Sequence, residues 1–293
     1  RSRTLYVPYM SVKQKGNSDN ESANASMSVR TGRECFRALS MPEAVTLASG
    51  VYRVRASVPS RSKATADMVQ TDEAFWTIFS FHFLSGEAFT KADCDAGLTR
   101  AVLDATTARR LFGTTDAVGR TVQLDYVDYT VAGVVADVSM LATAAYAQIW
   151  VPYTAAGAEA MSWQNDTMGP MHAIILARSS ADFDAIREET ELLRKKYNDG
   201  LQDVEVFYRG QPDTQLAYLY RRWYAEPDVP GVMLRYAIVV IILLLVPAVN
   251  LSGMTLSRMR RRMAEIGVRK AFGATGGELM RQVFFENLVL TLL

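Results

Sequence analysis

Few residues of this sequence stand in patterns that carry out catalysis. There are two histidines, His82 and His172, and neither belongs to a Ser-His-Asp order or a zinc-ligand spacing. His82 lies inside the run FHFL, which favours a packed or edge position, and His172 stands alone ahead of a predicted strand. The glycines of GATGG, residues 273–277, are similar to those of a phosphate-binding loop, but the Lys-Ser/Thr pair that must follow is missing. The sequence therefore predicts no catalytic residues and no cofactor.

The two cysteines, Cys35 and Cys94, have no metal-ligand spacing, so no metal site is predicted. If this part of the chain faces an oxidising compartment, they can form one disulfide. They can equally remain two separate thiols. Because a sequence gives no distance between two side chains, both alternatives stay open.

Charge is low overall but uneven along the chain. Of 293 residues, 22% are charged and the net charge is +1, which argues against a nucleic-acid-binding protein with a broad basic face. Residues 258–282 depart from this average, because seven basic and two acidic side chains give them a net charge of +5. The basic ones are Arg258, Arg260, Arg261, Arg262, Arg269, Lys270 and Arg281.

An uncharged stretch of 22 residues, 236–257, predicts a transmembrane helix. At the rise of an α-helix it spans about 33 Å, slightly more than the roughly 30 Å of a hydrocarbon core. We expect this helix to occupy residues 231–257. The basic cluster that follows it is expected in the cytoplasm by the positive-inside rule, which leaves residues 1–230 on the other side of the membrane. Aromatic residues ahead of the span fit an interfacial belt: Tyr218, Tyr220, Trp223, Tyr224 and Tyr236.

A second apolar run occupies residues 283–293 and reads VFFENLVLTLL, with Glu286 as its one charged residue. We expect it to be the start of a second transmembrane helix that is cut short by the end of the chain. The chain also opens without a methionine. We therefore expect it to be a piece of a longer, multi-pass membrane protein.

Residues 258–282, between the two apolar runs, are expected to be cytoplasmic and to form two helices around a glycine turn. Met259, Met263 and Ile266 recur at helical spacing among the arginines. Thr275, followed three residues later by Glu278, is a capping-box pattern that predicts the start of the second helix. From the residues alone, a basic helix here could also lie on anionic lipid headgroups.

The sequence EIGVRKAFGAT, residues 265–275, resembles the signature of FtsX-like permeases, a family that includes the macrolide-exporter (MacB-like) type. In that family this segment contains the coupling helix that docks on the nucleotide-binding subunit. The resemblance implies that seven residues lie at or beside an ATPase contact: Glu265, Ile266, Gly267, Arg269, Lys270, Gly273 and Ala274. It also implies that the chain is not an enzyme and that a partner subunit hydrolyses ATP.

Residues 1–230 alternate short strand-like and helix-like segments. This alternation predicts an α+β fold: a mixed α/β extracytoplasmic domain of two subdomains, joined by a stalk to the transmembrane α-helices. The Ser- and Asn-rich residues 16–27 are expected to be a loop. The main predicted elements are strand 100–103, helix 105–112 ended by Gly113, the hairpin 121–124 with 129–135, and a second unit of strand 173–177, helix 181–197 and strand 204–208, then a stalk helix over 211–224.

Two stretches of this region resemble the periplasmic core domain of MacB-like permeases. One is MVQTDEAFWTIFSFHFLSGEAFT, residues 68–90, and the closer one is AVLDATTARRLFGTTDAVGRTVQLDYVDYTVAGVVADV, residues 101–138. Gly113, Gly119 and Gly133 within them are predicted to be structural, at a helix end, a turn and a close strand contact. Residues 1–230 are therefore expected to be this core domain.

The resemblance implies a permease subunit of an ABC transporter in the bacterial inner membrane. It would couple ATP hydrolysis to movement of the extracytoplasmic domain (mechanotransmission), for export of a peptide, drug or lipoprotein-type cargo. The alternative is an FtsX-like regulatory module that activates a cell-wall hydrolase. The implied partners are an ATP-binding subunit, a second permease in a homodimer or pair, membrane lipid, and a periplasmic adaptor or outer-membrane channel.

Overall fold

The structure, a computed structural model, describes residues 3–16, 22–58, 63–222, 225–261 and 263–292. The chain forms two compact units, Arg1–Pro227 and Asp228–Leu293, which are called the first and the second unit below. The first unit holds all of the buried hydrophobic residues among those described, in three clusters.

The first unit contains fourteen described strands and six described α-helices. The strands are β1 Thr4–Val7, β2 Met10–Gln14, β3 Ala23–Ala25, β4 Ala44–Ser49, β5 Tyr52–Ser57, β6 Lys63–Thr71, β7 Phe83–Gly86, β8 Arg100–Asp104, β9 Thr121–Leu124, β10 Val127–Val135, β11 Ile149–Pro152, β12 Met171–Leu176, β13 Val204–Phe207 and β14 Asp213–Thr214. The helices are α1 Val29–Gly32, α2 Ala74–Ile78, α3 Lys91–Asp95, α4 Ala105–Phe112, α5 Phe183–Gly200 and α6 Gln215–Tyr220, and a π-helical turn, Arg33–Arg37, follows α1. Mixed helices and strands confirm the predicted fold class.

The largest sheet has seven strands in the order β7-β10-β8-β11-β6-β5-β9. Because β9 pairs with both β5 and β10, six of these strands close into a barrel. Alternate residues of its strands are buried together, as the two-residue period of a strand requires, and they include Leu103, Val131 and Ile149. Helix α4 adds Leu111 and Phe112 to the same cluster.

The remaining strands form a four-stranded sheet, β14-β1-β12-β4, and a three-stranded sheet, β13-β2-β3. Strands from the two ends of the first unit alternate in the four-stranded sheet, where β12 lies between β1 and β4. They also meet in the three-stranded sheet, where β13 pairs with β2. Residues 173–208, which were predicted to form a subdomain of their own, are therefore not separate from the rest of the first unit. Their strands complete sheets that the first 50 residues begin, and the barrel is inserted between them in sequence.

The predicted loop over residues 16–27 was wrong for its second half. Strand β3 pairs with β2, and Met27 is fully buried with its backbone hydrogen-bonded to Met171 at 2.9 Å. Residues 17–21 lie outside the described residues. A polar composition hides this strand, because none of the three residues of β3 is fully buried.

The continuous stalk helix predicted over residues 211–224 is not present in the described residues. Asp213 and Thr214 pair with β1 as strand β14, and α6 covers only six residues. Tyr218 of α6 stacks on Tyr6 of β1, with ring centroids 4.6 Å apart. The segment is therefore held against the four-stranded sheet, and residues 223 and 224, predicted as part of the aromatic belt, lie outside the described residues.

A buried carboxylate connects the four-stranded sheet to the barrel. Asp72, at the end of β6, accepts hydrogen bonds from the Thr46 hydroxyl at 2.6 Å and the Leu47 amide at 3.0 Å, both on β4. Arg37 of the π-helical turn completes an ion pair with it at 2.9 Å. Burial raises the pKa of Asp72 to about 6, although Arg37 and the two hydrogen bonds act in the opposite direction.

Gly133 illustrates the close strand contact predicted from the sequence, and that prediction is confirmed. A Cβ atom here would lie 2.5 Å from the Glu87 carbonyl oxygen and 2.9 Å from the Phe83 ring.

We expect Gly133→Ala to lower the free energy of unfolding by about 1–3 kcal/mol. Urea unfolding followed by tryptophan fluorescence measures this change in the first unit alone, since all four tryptophans lie within residues 1–227. Gly50→Ala is the control, because its Cβ would meet nothing closer than 3.8 Å; equal effects of the two variants would contradict the steric argument.

The described residues of the second unit form three helices: α7 Val229–Arg261, α8 Met263–Ala271 and α9 Gly276–Leu292. Among the described residues, one helix is long and apolar enough to cross a membrane, at residues Val229–Met254 of α7, with a mean hydropathy of 2.7. This segment contains most of the predicted span 231–257. Helix α9, which contains the predicted second span, has 17 residues, so the multi-pass arrangement stays a prediction.

Candidate functional site

Both cysteines are free and buried in different clusters of the first unit, Cys35 beside Phe36 and Cys94 with Phe75. Burial raises the pKa of Cys35 to about 11 and that of Cys94 to about 12, so neither thiol is a nucleophile at neutral pH. Among the described residues, no group of three or more His, Cys, Asp or Glu side chains could hold a metal ion. These cysteines are therefore core residues.

The residues predicted to contact an ATPase lie on α8 and on the turn between α8 and α9. Glu265 and Arg269 form an ion pair one helical turn apart, at 2.6 Å, and both side chains are about half exposed. The Arg269 guanidinium also donates to the Gln282 side chain at 2.8 Å. One arginine thus connects α8 to α9 across the turn.

The turn itself is fixed by a capping box at the start of α9. The Glu278 carboxylate accepts hydrogen bonds from the Thr275 amide and hydroxyl, both at 2.9 Å, as the sequence predicted. These bonds lower the pKa of Glu278, which keeps it ionised at neutral pH. Gly273 has a φ of +95°, a backbone conformation that a side chain would disfavour.

A shallow concavity of about 430 Å³ lies on this turn. Its lining includes three of the seven predicted residues, Arg269, Gly273 and Ala274. Glu265 reaches it only through Arg269, while Ile266, Gly267 and Lys270 lie on α8 outside it. The other lining residues are Phe272, Glu278, Leu279 and Gln282.

Sequence reasoning missed Phe272, the most exposed aromatic side chain described, at 89%. It projects beside Gly273, and charged groups from Arg269 and Glu278 surround the same concavity. An exposed aromatic residue within a charged rim is typical of a protein-binding hot spot. The available signal was a large apolar residue directly before a turn glycine, where a solvated loop would carry a polar one.

The chain matches two protein-family models. Residues 3–193 match the MacB-like periplasmic core domain, and residues 237–293 match the FtsX-like permease C-terminal model. The first match covers more than half of the chain, so the chain belongs to the family of permeases with a MacB-like periplasmic core domain. These are membrane permeases of the ABC-transporter type with a periplasmic domain.

Relatives in this family are longer proteins. The pyoverdine export ATP-binding/permease protein PvdT of Pseudomonas aeruginosa is 28% identical over 220 residues, which are 74% of this chain and 31% of the relative. The macrolide export ATP-binding/permease protein MacB 1 of Yersinia pestis bv. Antiqua is 25% identical over 232 residues, 78% of this chain and 33% of the relative. The chain thus spans about a third of the length of the curated relatives it matches.

A crystal structure of a permease-protein domain from Porphyromonas gingivalis shares the fold. It is 17% identical in sequence, its TM-score is 0.50, and the match covers 80% of this chain and 96% of that one. The predicted mixed α/β extracytoplasmic fold and the predicted family are therefore both confirmed.

Proposed function

We propose that this chain is the permease part of an ABC exporter, in which residues 258–282 receive the movement of an ATP-binding partner. The observation that carries the proposal is the exposed turn at Phe272. Its own side-chain networks, Glu265–Arg269–Gln282 and Thr275–Glu278, hold it in one shape before any partner binds. A preformed contact loses little conformational entropy on binding and transmits a displacement to the helices on either side.

In this proposal, residues 231–257 cross the inner membrane, 258–282 are cytoplasmic, and 283–293 begin a second span. The first unit lies in the periplasm and changes conformation when the partner binds and hydrolyses ATP. Two copies, or this chain and a related permease, form the transporter, and a periplasmic adaptor or outer-membrane channel completes the export route. The MacB-like core domain favours this role over activation of a cell-wall hydrolase.

ATP hydrolysis belongs to a separate subunit or to a further segment of a longer polypeptide. The 293 residues contain no phosphate-binding loop with its Lys-Ser/Thr pair, whereas PvdT and MacB 1 are named as combined ATP-binding/permease proteins. Their names refer to pyoverdine and to macrolides. For this chain we propose a peptide, drug or lipoprotein-type cargo.

Charge reversal at Arg269 tests the contact. We expect Arg269→Glu to weaken association with the ATP-binding partner, or to reduce cargo-stimulated ATP hydrolysis where the two are fused, by at least about tenfold, since a like-charge contact at an interface costs several kcal/mol. Co-purification from membranes and the ATPase rate in nanodiscs measure these effects. Arg30→Glu in the first unit is the matched control, because Arg30 and Glu34 also form an i,i+4 pair with both side chains about half exposed.

The double variant Glu265→Arg/Arg269→Glu separates two explanations. It preserves the net charge of residues 258–282 and allows the intrahelical pair to re-form with reversed polarity. If these residues serve only α8 stability or lipid binding, which depends on net charge, the double variant will behave as wild type. Continued loss of the partner in the double variant supports a direct contact, and unchanged association of Arg269→Glu alone would refute the coupling assignment.

A further inference from the structure

A pocket of about 190 Å³ opens in the first unit. Its walls come from β1, β4 and β12 of the four-stranded sheet, from Val69 of β6, from the loop before β11, and from α6. The lining comprises fifteen residues between positions 6 and 218. No local sequence pattern indicates this pocket, because its residues are scattered over more than 200 positions.

The lining carries no formal charge. None of these fifteen residues is Lys, Arg, Asp or Glu. The titratable member nearest neutral pH is His172, whose Nε2 lies 2.9 Å from the Ser26 hydroxyl oxygen. Burial lowers the pKa of His172 to about 4, so the imidazole is neutral in the folded protein at pH 7. A charged ligand would therefore lose its hydration here with no opposite charge in compensation.

Aromatic rings and hydroxyl groups dominate the pocket instead. Tyr6 and Tyr218 lie nearly parallel, with an interplanar angle of 17°, and form one wall. Tyr146 lines the pocket from the loop before β11, and its hydroxyl donates to Asp67 at 3.0 Å. Thr143 and Ser49 add short hydroxyl side chains. Such a lining, mostly apolar with a few neutral polar groups, is typical of a small-molecule site.

The volume limits the size of the occupant. An apolar cavity of about 150 Å³ binds benzene in another protein, so the 190 Å³ found here accommodates a single aromatic ring with one or two substituents. It is too small for a macrolide or a folded peptide, so it is not the passage of the proposed cargo.

We propose that this pocket binds a small uncharged aromatic molecule, of the size of a phenol, which packs against the Tyr6–Tyr218 wall. The proposal is independent of the transport function, because it uses only residues of the first unit. A bound ring would contact the four-stranded sheet, the 143–146 loop and α6 together, and so would stabilise their arrangement.

The test uses the full chain in lipid nanodiscs with 4-fluorophenol as the probe, followed by ¹⁹F NMR. Empty nanodiscs give the lipid partitioning that must be subtracted. We expect saturable binding with a dissociation constant of about 0.1–1 mM, as suits a ligand of so few atoms. The anionic probe 4-fluorobenzoate has nearly the same shape and is expected to bind at least about tenfold more weakly, since the lining offers its charge no partner.

Gly50→Leu is expected to weaken 4-fluorophenol binding at least about tenfold, because the new side chain extends into the pocket toward His172, 3.8 Å from the Cβ position. Gly200→Leu makes the same change at the end of α5, where nothing lies within 4 Å, and should leave binding unchanged. Ala144→Leu fills the pocket from the loop and replaces Gly50→Leu should that variant not fold. The proposal is overturned by a wild-type protein that binds no probe beyond the lipid background. Equal affinity in wild type and a folded pocket-filling variant, or equal affinity for the two probes, overturns it as well.

Discussion

Replacement of Arg221 by methionine is expected to lower the free energy of unfolding of the first unit by about 3–5 kcal/mol. The Arg221 and Asp213 side chains are 1% and 4% exposed and form a bidentate pair, with Nη2 2.8 Å from Oδ1 and Nε bonded to Oδ2. The remaining guanidinium hydrogens reach the carbonyl oxygens of Ala225 at 3.0 Å and Arg209 at 3.1 Å. Methionine fills similar volume but leaves a buried carboxylate without its counter-charge, and that explains the size of the loss.

Urea unfolding at pH 7, followed by tryptophan fluorescence, measures this effect. Arg30→Met is the control, since its partner Glu34 is 50% exposed and such surface pairs contribute about 0–1 kcal/mol. The double variant Arg221→Met/Asp213→Leu should recover most of the lost stability, because no charge is then left buried. An Arg221→Met variant as stable as wild type would contradict the argument that a buried Asp213 needs its counter-charge.

This ion pair also bears on the proposed transport mechanism. Asp213 belongs to β14, which pairs with β1, and Arg221 follows directly after α6. Among the described residues, Arg221 is thus the last buried side chain before α7, which begins eight residues further on. Under the proposed transport mechanism, we expect a variant that folds but loses this pair to couple ATP hydrolysis to periplasmic movement less tightly.

Local signals predicted local structure well. Helix α4 and its Gly113 end, the β9–β10 hairpin and the Thr275–Glu278 capping box each depend on residues within about ten positions of one another. The pairing of β1 with β12 joins residues about 170 positions apart. Hydrophobic periodicity indicates that a segment is a strand, but it does not indicate which distant strand pairs with it. Barrel closure by β9 was missed for the same reason.

The exposure of individual side chains was the second property that the sequence did not predict. In α5 the apolar Leu192 is 64% exposed, while Thr190 is fully buried and its hydroxyl donates to the Ile186 carbonyl oxygen. In the turn between α8 and α9, the family resemblance implied Ile266 and Gly267 as contact residues. The exposure of the side chains adds Phe272 as a candidate for that contact. A linear sequence shows which residues are apolar but not which of them the fold leaves uncovered.

The pH dependence of stability is expected to reveal two opposing titrations, at Asp72 and His172. Asp72 has a folded-state pKa of about 6 against an ordinary value of 3.8, chiefly through burial. Between those values the unfolded chain ionises while the folded chain keeps the proton, so stability falls by about 3 kcal/mol as pH rises. His172 has the reverse shift, from 6.5 to about 4, and its burial makes stability rise with pH over nearly the same window by up to about 3 kcal/mol.

In the wild-type protein these two contributions largely offset each other between pH 4 and 6.5. Asp72→Asn removes the contribution that falls with pH. The free energy of unfolding of this variant, relative to wild type, is therefore expected to increase by about 2 kcal/mol from pH 4 to pH 6.5. Other shifted carboxyls, such as Asp104, whose pKa is raised by burial, are present in both proteins and cancel in the difference. Urea unfolding of both proteins at half-unit pH steps measures this difference in the free energy of unfolding. His172→Asn should change the pH dependence of stability in the opposite direction. If the Asp72→Asn profile ran parallel to wild type, Asp72 would be ionised in the folded protein throughout this range, and Arg37 would outweigh burial.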